Sequence, residues 1–483
     1  MGADGRLRRF ARLWRERLAS PATIVGCAAF VQAFDISSVA VALPDIACEF
    51  GGDPIAYNSV IIAYIIGATA VLPLCGWAVD RFGARRIFLA AVALFGVSAA
   101  ICGIAGSVTM LLGARVVQGA AGAMLLPVGR VIILASVEEK GFVDAMAALT
   151  MPLMLGPVIG PPIAGALITL GSWRLLFLVM LPLAIAGFVL VYRRIAAMPA
   201  AHRHPLDIWG SIYLVSALAS VAIGVGMING QGAAWLRAVA LIAAGIVLFA
   251  LYVRHERRHP TALLSLSPMR RPLMRATNIG GIFPRMLTSS TPFLLAILFQ
   301  QRFGMSAAEA GGIIFALAIG SLAGRAVVAA LLRWLGFRTM LLANGIAMAL
   351  SIAACSLFEP GLPIWIIAPI LFVQGLLRSS QLIALSALGY AGMPRSEFSA
   401  ASTISSLSQQ LAQGLGIAIS VQSVQLIARI AGEGAMAGAF VVLALVSLLS
   451  LGWIVPMARD AGDAMSGRAM SGRTEEDGNG TAA

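Results

Sequence analysis

The chain is dominated by apolar runs, each closed by a short charged or Pro/Gly-rich break. Their length, about 20 residues, is that of a helix crossing the hydrocarbon core of a bilayer. Fourteen such runs lie near 21–43, 55–78, 86–106, 108–135, 143–168, 174–193, 207–229, 234–253, 276–299, 306–332, 338–357, 362–390, 396–428 and 434–457. Inside lipid every backbone N–H and C=O must be satisfied within the protein, so a span is a helix or part of a closed barrel. The runs are too long for barrel strands and lack their two-residue alternation. The expected fold class is an all-α membrane protein. Composition agrees: 59% of residues are hydrophobic and 11% charged, where a soluble domain carries about 25% charged residues. That balance excludes a soluble nucleotide-binding enzyme, a disulfide-rich secreted fold and a disordered chain.

The net charge of +13 reads as a topology signal rather than a nucleic-acid footprint. The arginines fall between apolar runs, where they face anionic lipid headgroups. With the amino end inside, 25 of the 34 Lys and Arg residues lie on inner loops and inner span ends, four on the outer side and five within spans. This asymmetry fits the positive-inside rule with an even number of spans and both termini cytoplasmic. Residues 1–20 hold six arginines and no cleavable leader pattern, so the first run is expected to serve as a start-transfer helix. Cys27, Cys48, Cys75, Cys102 and Cys355 are scattered and form no CxxC pair, and His202, His204, His255 and His259 fall in inner loops. No metal and no other cofactor is therefore expected.

Two basic, proline-containing inner loops, 194–206 and 254–275, flank the seventh and eighth runs. The expected organisation is a cytoplasmic segment over 1–20, a six-helix bundle over 21–193 and a linker with two additional spans over 194–275. A second six-helix bundle follows over 276–457, then a disordered cytoplasmic tail over 458–483.

A charge within a span costs on the order of 2.5–3.5 kcal/mol on insertion scales, so each needs a physical reason. Of 21 acidic residues only Asp35 lies well within a run. At 1.5 Å per residue it sits about 12 Å below the outer end of the first helix, counted from Leu43. Arg115, counted from Val108, lies about 10 Å deep in the fourth. Opposite charges at one level can pair or communicate through water if their helices are neighbours. Burial favours the neutral acid and a nearby guanidinium favours the carboxylate, so a change in their separation would load or release a proton. The bland alternative is a static ion pair that fixes two helices. Gln32, Ser37 and Ser38 beside Asp35 favour a watered cavity.

The remaining intramembrane arginines differ in depth. Arg130 and Arg325 fall near inner span ends, where long side chains snorkel to the headgroups. Arg285 and Arg378 lie deeper, in a half with no acidic residue at membrane depth, which directs both toward a cavity or an interhelical contact. Further cavity candidates are Gln118, Met151, Met154, Phe283, Met286, Gln409, Gln410 and Gln413, although helical spacing makes packing the expected role of most.

Glycine and proline punctuation marks two segments. Gly156, Pro157, Gly160, Pro161 and Pro162 should kink the fifth helix and allow close packing. In the short break 76–86, Gly76 permits tight approach at the end of helix two, Asp80 can meet a helix end, and Arg81, Arg85 and Arg86 hold to the inner side. Gly83 completes this pattern, which suits a latch that closes in one conformation and opens in another.

These segments together resemble the major facilitator superfamily. Residues 76–86 are similar to its signature G-x-x-x-D-R-x-G-R-R between helices two and three, with Ala84 at one basic position. Arg115, Val116, Val117, Gln118 and Gly119 resemble the helix-four pattern R-x-x-Q-G. Gly156 to Gly160 resembles the antiporter pattern G-P-x-x-G-G of helix five, with Pro161 where the second glycine is usual. Phe34 to Pro44 is similar to the helix-one pattern L-D-x-T-V-V-N-V-A-L-P of fourteen-span drug:proton antiporters, with Ala40 in place of the asparagine. Ser172, Trp173 and Arg174 are also similar to that branch.

The resemblance implies two six-helix bundles plus two inserted helices. It implies a proton-coupled secondary transporter that exports small amphipathic compounds by alternating access, with Asp35 and Arg115 in proton coupling. The partners are then a small-molecule substrate, protons and the bilayer, with no nucleic acid, and a monomer is the expected working unit. One alternative is a dedicated exporter of a sugar, an amino acid or another organic anion, which Arg285 and Arg378 would favour. A membrane-embedded enzyme would need paired acids or metal-spaced histidines at depth, and the chain has neither.

Overall fold

The computed structural model describes residues 20–52, 56–136, 142–196, 205–227, 233–259, 263–394, 397–431 and 434–458. The arginine-rich head, Lys140, His202, Arg203, His204 and the tail with Arg459, Arg468 and Arg473 lie outside the described residues, as do the side chains of Met151 and Met154. Among the described residues the regular structure is entirely helical.

Fourteen helices follow one another: α1 (Pro21–Phe50), α2 (Ser59–Phe82), α3 (Ala84–Gly103), α4 (Val108–Ser136), α5 (Phe142–Leu170), α6 (Arg174–Arg194) and α7 (Ile208–Met227). They continue with α8 (Ala233–Glu256), α9 (Pro272–Arg302), α10 (Ala307–Leu335), α11 (Phe337–Leu357), α12 (Ile364–Gly389), α13 (Phe398–Ala431) and α14 (Ala435–Ile454). Thirteen of them are long and apolar enough to cross a membrane, and α5 adds the apolar stretch Leu155–Leu170. The chain is a multi-pass membrane protein. Many large apolar side chains, such as Ile185, Ile246 and Trp365, remain exposed on the helices, as expected where lipid rather than water is the solvent.

Local sequence explains the helix ends. Ser20 caps α1, its Oγ accepting the Thr23 amide at 3.2 Å, and Pro21 occupies the first turn, where a missing N–H costs nothing. α1 runs to Phe50 rather than ending at Leu43, with Pro44 inside the helix. Neighbouring helices can re-satisfy the carbonyl that such a proline frees. Gly83, at φ +85°, is the single residue between α2 and α3, and Gly336, at φ +76°, does the same between α10 and α11. Both take the left-handed backbone region that a side chain would oppose. α9 is interrupted by π-helical turns at Ala276–Gly280 and Leu298–Arg302.

The chain divides into two compact units. The first holds residues 1–224, 239–263 and 306–308, and the second holds 225–238, 264–305 and 309–483. The inserted helices α7 and α8 therefore cluster with the first unit over most of their length. Asp207 ties their ends: its Oδ1 accepts the Gly210 amide at 2.9 Å and lies 2.8 Å from His255 Nε2. His255 thus belongs to the last turn of α8 and not to a loop.

Each unit carries the same interlock at a spacing of about one half-chain. In the first, a Cβ on Gly67 of α2 would strike the Val116 carbonyl of α4, and one on Gly119 would strike the Tyr64 carbonyl. In the second, Gly320 of α10 faces the Phe372 carbonyl of α12, and Gly375 faces that of Leu317. Arg85 donates to the Tyr192 carbonyl at 2.6 Å, and Arg338 donates to the Val455 carbonyl at 2.7 Å. The chain is an internal repeat, with α2, α4 and α6 matched by α10, α12 and α14.

Candidate functional site

The first unit is built around one buried ion pair. Asp35 on α1 is 0% exposed and Arg115 on α4 is 1% exposed. Arg115 Nη1 lies 2.8 Å from both Asp35 Oδ1 and Oδ2, so a single nitrogen meets the whole carboxylate. That differs from the two-nitrogen fork that locks most buried arginine–carboxylate pairs. The depth count from Leu43 started two turns short of the true end of α1, yet the pair forms because α1 and α4 pack together.

Other groups hold the guanidinium independently of Asp35. Nη1 also donates to Gln118 Oε1 at 2.8 Å, and Nε donates to the Val60 carbonyl at 3.3 Å. Arg115 Cζ lies 4.6 Å from the Tyr64 ring centre and 5.6 Å from that of Phe177, so aromatic rings from α2 and α6 both lie against the cation. The Gly67 and Gly119 interlock makes this possible, because it brings the backbones of α2 and α4 close enough for Tyr64 to lie against Arg115. Gln118 is oriented in turn by Cys102 Sγ at 3.6 Å and Met180 Sδ at 3.8 Å. One hydroxyl near the pair, Ser38 Oγ, is buried with no hydrogen-bond partner among the described residues, and the buried Tyr64 hydroxyl meets Gln32. An unpartnered hydroxyl suits a proton path or an ordered water.

Helix five bears directly on this pair. Gly156 packs where a Cβ would lie 2.7 Å from Ala33 Cβ and 2.8 Å from the Phe34 amide. Gly160 leaves room for Ser37 and Ser38, and Ser37 Oγ donates to the Gly156 carbonyl at 3.3 Å. These α1 residues bracket Asp35. Pro157 is exposed and Pro161 buried, and α5 remains one continuous helix with both inside it. Gln32 is half-buried one turn from Asp35.

The 76–86 segment is placed differently. A Cβ at Gly76 would meet nothing within 4 Å, so the expected tight approach is not made at that glycine. Asp80, Arg81 and Arg86 are exposed, and Gly83 forms the turn. Arg85 alone is engaged, through the Tyr192 carbonyl and the Tyr192 ring 5.3 Å away, which ties α3 to α6 within the same unit. Trp173 and Arg174, read only as a resemblance, both donate to Glu49 near the end of α1, and Arg174 Nη2 reaches the Ala105 carbonyl at 2.8 Å.

In the second unit the two deep arginines separate in character. Arg285 is 4% exposed and turns back along α9, where Nη1 donates to the Thr277 carbonyl at 3.1 Å and reaches Ser408 Oγ at 3.5 Å. It thereby meets carbonyls of the π-helical turn Ala276–Gly280. Arg378 on α12 is half-buried, with Nη2 3.1 Å from Ser321 Oγ on α10 and Nη1 3.4 Å from the Thr288 carbonyl on α9. Gln413 is buried, Gln410 half-buried and Gln409 exposed, so the three do not share one surface. Tyr64, Phe177 and Gln374 escaped the sequence reading. Gln374, an isolated amide in an apolar run, carried a visible signal, whereas Tyr64 and Phe177 did not differ from ordinary span aromatics. Among the described residues no three His, Cys, Asp or Glu side chains gather to hold a metal ion.

The sequence matches the family model described as Major Facilitator Superfamily over residues 25–421. Proteins named MdtD for multidrug resistance in Serratia proteamaculans and Escherichia coli O6:H1 are each 29% identical to it over 398 residues. Those alignments cover 82% of this chain and 83% and 84% of the two relatives. The fold is similar to that of a POT family peptide transporter, with a TM-score of 0.66 at 18% identity over 91% of this chain and 96% of that one. It is also similar to the nucleoside transporter NupG, with a TM-score of 0.62 at 12% identity over 91% and 100% of the two chains.

Proposed function

The chain belongs to the Major Facilitator Superfamily, and on that premise we propose that it is a proton-coupled exporter of small amphipathic compounds, working by alternating access in a bacterial inner membrane with both termini cytoplasmic. The observation that carries the reading is the Asp35–Arg115 pair, fully buried and flanked by the close packing of α5 on α1. The relatives named for multidrug resistance support the substrate class.

The geometry supports a definite sequence of events. With the pair closed, Asp35 is a carboxylate held by Nη1. When the packing of α5 on α1 shifts, the single-nitrogen contact opens and Asp35 can take a proton. Arg115 then keeps Gln118 Oε1, the Val60 carbonyl and the Tyr64 face, which compensate part of its charge. Closing the pair again displaces the proton. Asp80, Arg81 and Arg86 act as the latch residues of the alternate conformation, and Gly76 leaves the space for it.

The test is substrate-induced proton flux in proteoliposomes. Asp35→Asn should abolish proton-driven uptake into inverted vesicles. Neutralising both partners, Asp35→Asn with Arg115→Gln, should restore stability without restoring coupling. Undiminished transport against a gradient by Asp35→Asn would remove this residue from the coupling role.

A further inference from the structure

The internal repeat exposes an asymmetry between the two units. Gly375 of α12 is the counterpart of Gly119 of α4, by the identical interlock each makes with its neighbour. Gln374 is therefore the counterpart of Gln118, and Leu371 stands where Arg115 stands in the first unit. Gln118 Oε1 accepts from Arg115 at 2.8 Å. Gln374 is 2% exposed, and neither its Nε2 nor its Oε1 has a hydrogen-bond partner among the described residues.

Arg378 lies one turn after Gln374 on the same face of α12, and the two flank the midpoint of the helix. Its hydrogen bonds go to two neutral acceptors, Ser321 Oγ and the Thr288 carbonyl, which leaves part of its five-donor fork unengaged. From residue 276 to 457 the acidic residues are Glu309, Glu359, Glu397 and Glu433; the first three lie at or beyond helix ends, and Glu433 lies outside the described residues. Among the described residues of the second unit the cation thus has no counter-charge at its own depth. Arg285 differs in place: its Nη1 turns back onto carbonyls of its own helix and onto Ser408 Oγ.

We propose that Gln374 and Arg378 form an anion-recognition point at mid-membrane depth in the second unit, so that the transported compound carries a carboxylate or similar anionic oxygen group on an apolar body. The guanidinium supplies charge-assisted donors, and the Gln374 amide supplies a further donor that is already desolvated. The substrate class rests on the exporter reading above, whereas the binding site itself does not.

The experiment reads binding in detergent with no gradient, so its outcome is separate from that of proton coupling. Thermal stabilisation of the full chain is titrated with ring-matched probes: naphthalene-1-acetate and naphthalene-1-sulfonate as anions, 1-naphthaleneacetamide as neutral, and 1-naphthylmethylamine as cation. The anions should bind on the order of 10- to 100-fold tighter than the neutral amide, the range for hydrogen bonds to a charged group. Arg378→Gln should erase that preference. Gln374→Leu should raise the melting temperature of the free protein, by removing an unpaired buried amide, and still weaken anion binding. That combination decides the matter if Arg378→Gln fails to fold. The proposal is overturned if neither anion stabilises the wild type, if the neutral or cationic probe binds as tightly, or if the Gln374→Leu chain keeps the wild-type preference.

Discussion

Asp35→Asn strands a guanidinium that is 1% exposed and cannot shed its charge. Removing one partner of a buried pair costs about 3–5 kcal/mol, because the remaining charge is left desolvated. Gln118, the Val60 carbonyl and the Tyr64 face keep some of that charge compensated, so the lower end of the range applies here. For a unit of this size each kcal/mol moves the melting temperature by about 2–4 °C, giving a fall of about 6–12 °C for a loss of about 3 kcal/mol. Arg115→Gln should be milder, since a buried carboxyl can neutralise itself by taking up a proton and a guanidinium cannot. The double variant, with both charges gone, should recover most of the loss, and the cycle should return a coupling of about 3 kcal/mol. The assay is thermal unfolding of detergent-solubilised protein, monitored by intrinsic fluorescence for the four members of the cycle. Single variants melting within about 1 °C of wild type, or a double variant no more stable than the worse single, would refute the reasoning.

Two further outcomes follow from packing and exposure. Gly119→Ala places a Cβ 2.7 Å from the Tyr64 carbonyl carbon, which as backbone cannot move aside, so α2 and α4 must part. A loss of about 1–3 kcal/mol is expected, whereas Gly76→Ala, in a helix and facing open space, should gain about 0.4–1 kcal/mol; equal melting temperatures for the two would contradict the interlock. Glu49→Gln breaks an ion pair whose side chains are 27% and 41% exposed. It should cost no more than about 1 kcal/mol, and the difference from wild type should shrink with added salt; a large, salt-independent loss would mean the pair acts as a buried one.

Much of the architecture was legible because the bilayer imposes so severe a rule. Runs of about 20 apolar residues can only be spans, and the breaks between them located the helices with errors confined to their ends. α1 shows how such an error arises. Pro44 and Asp45 read as a terminus after Leu43, but the helix continues for another two turns to Phe50 with Pro44 inside it. Asp35 and Arg115 stood out for the same reason, as charges where charges are costly. Gly76 illustrates the opposite case, since the sequence pattern suggested a close approach at that glycine and a Cβ there would meet nothing within 4 Å.

The sequence alone settled the fold class, the helix order and which ionisable groups need an explanation, because hydrophobic length and charge are properties of single segments. Only the tertiary structure decided that Tyr64 and Phe177 lie against Arg115 and that α5 brackets Asp35 through Gly156 and Gly160. It alone decided that Arg285 turns back onto its own helix while Gln374 is left without a partner. Those outcomes depend on which helices approach closely and on where each side chain turns, and residues far apart along the chain set both.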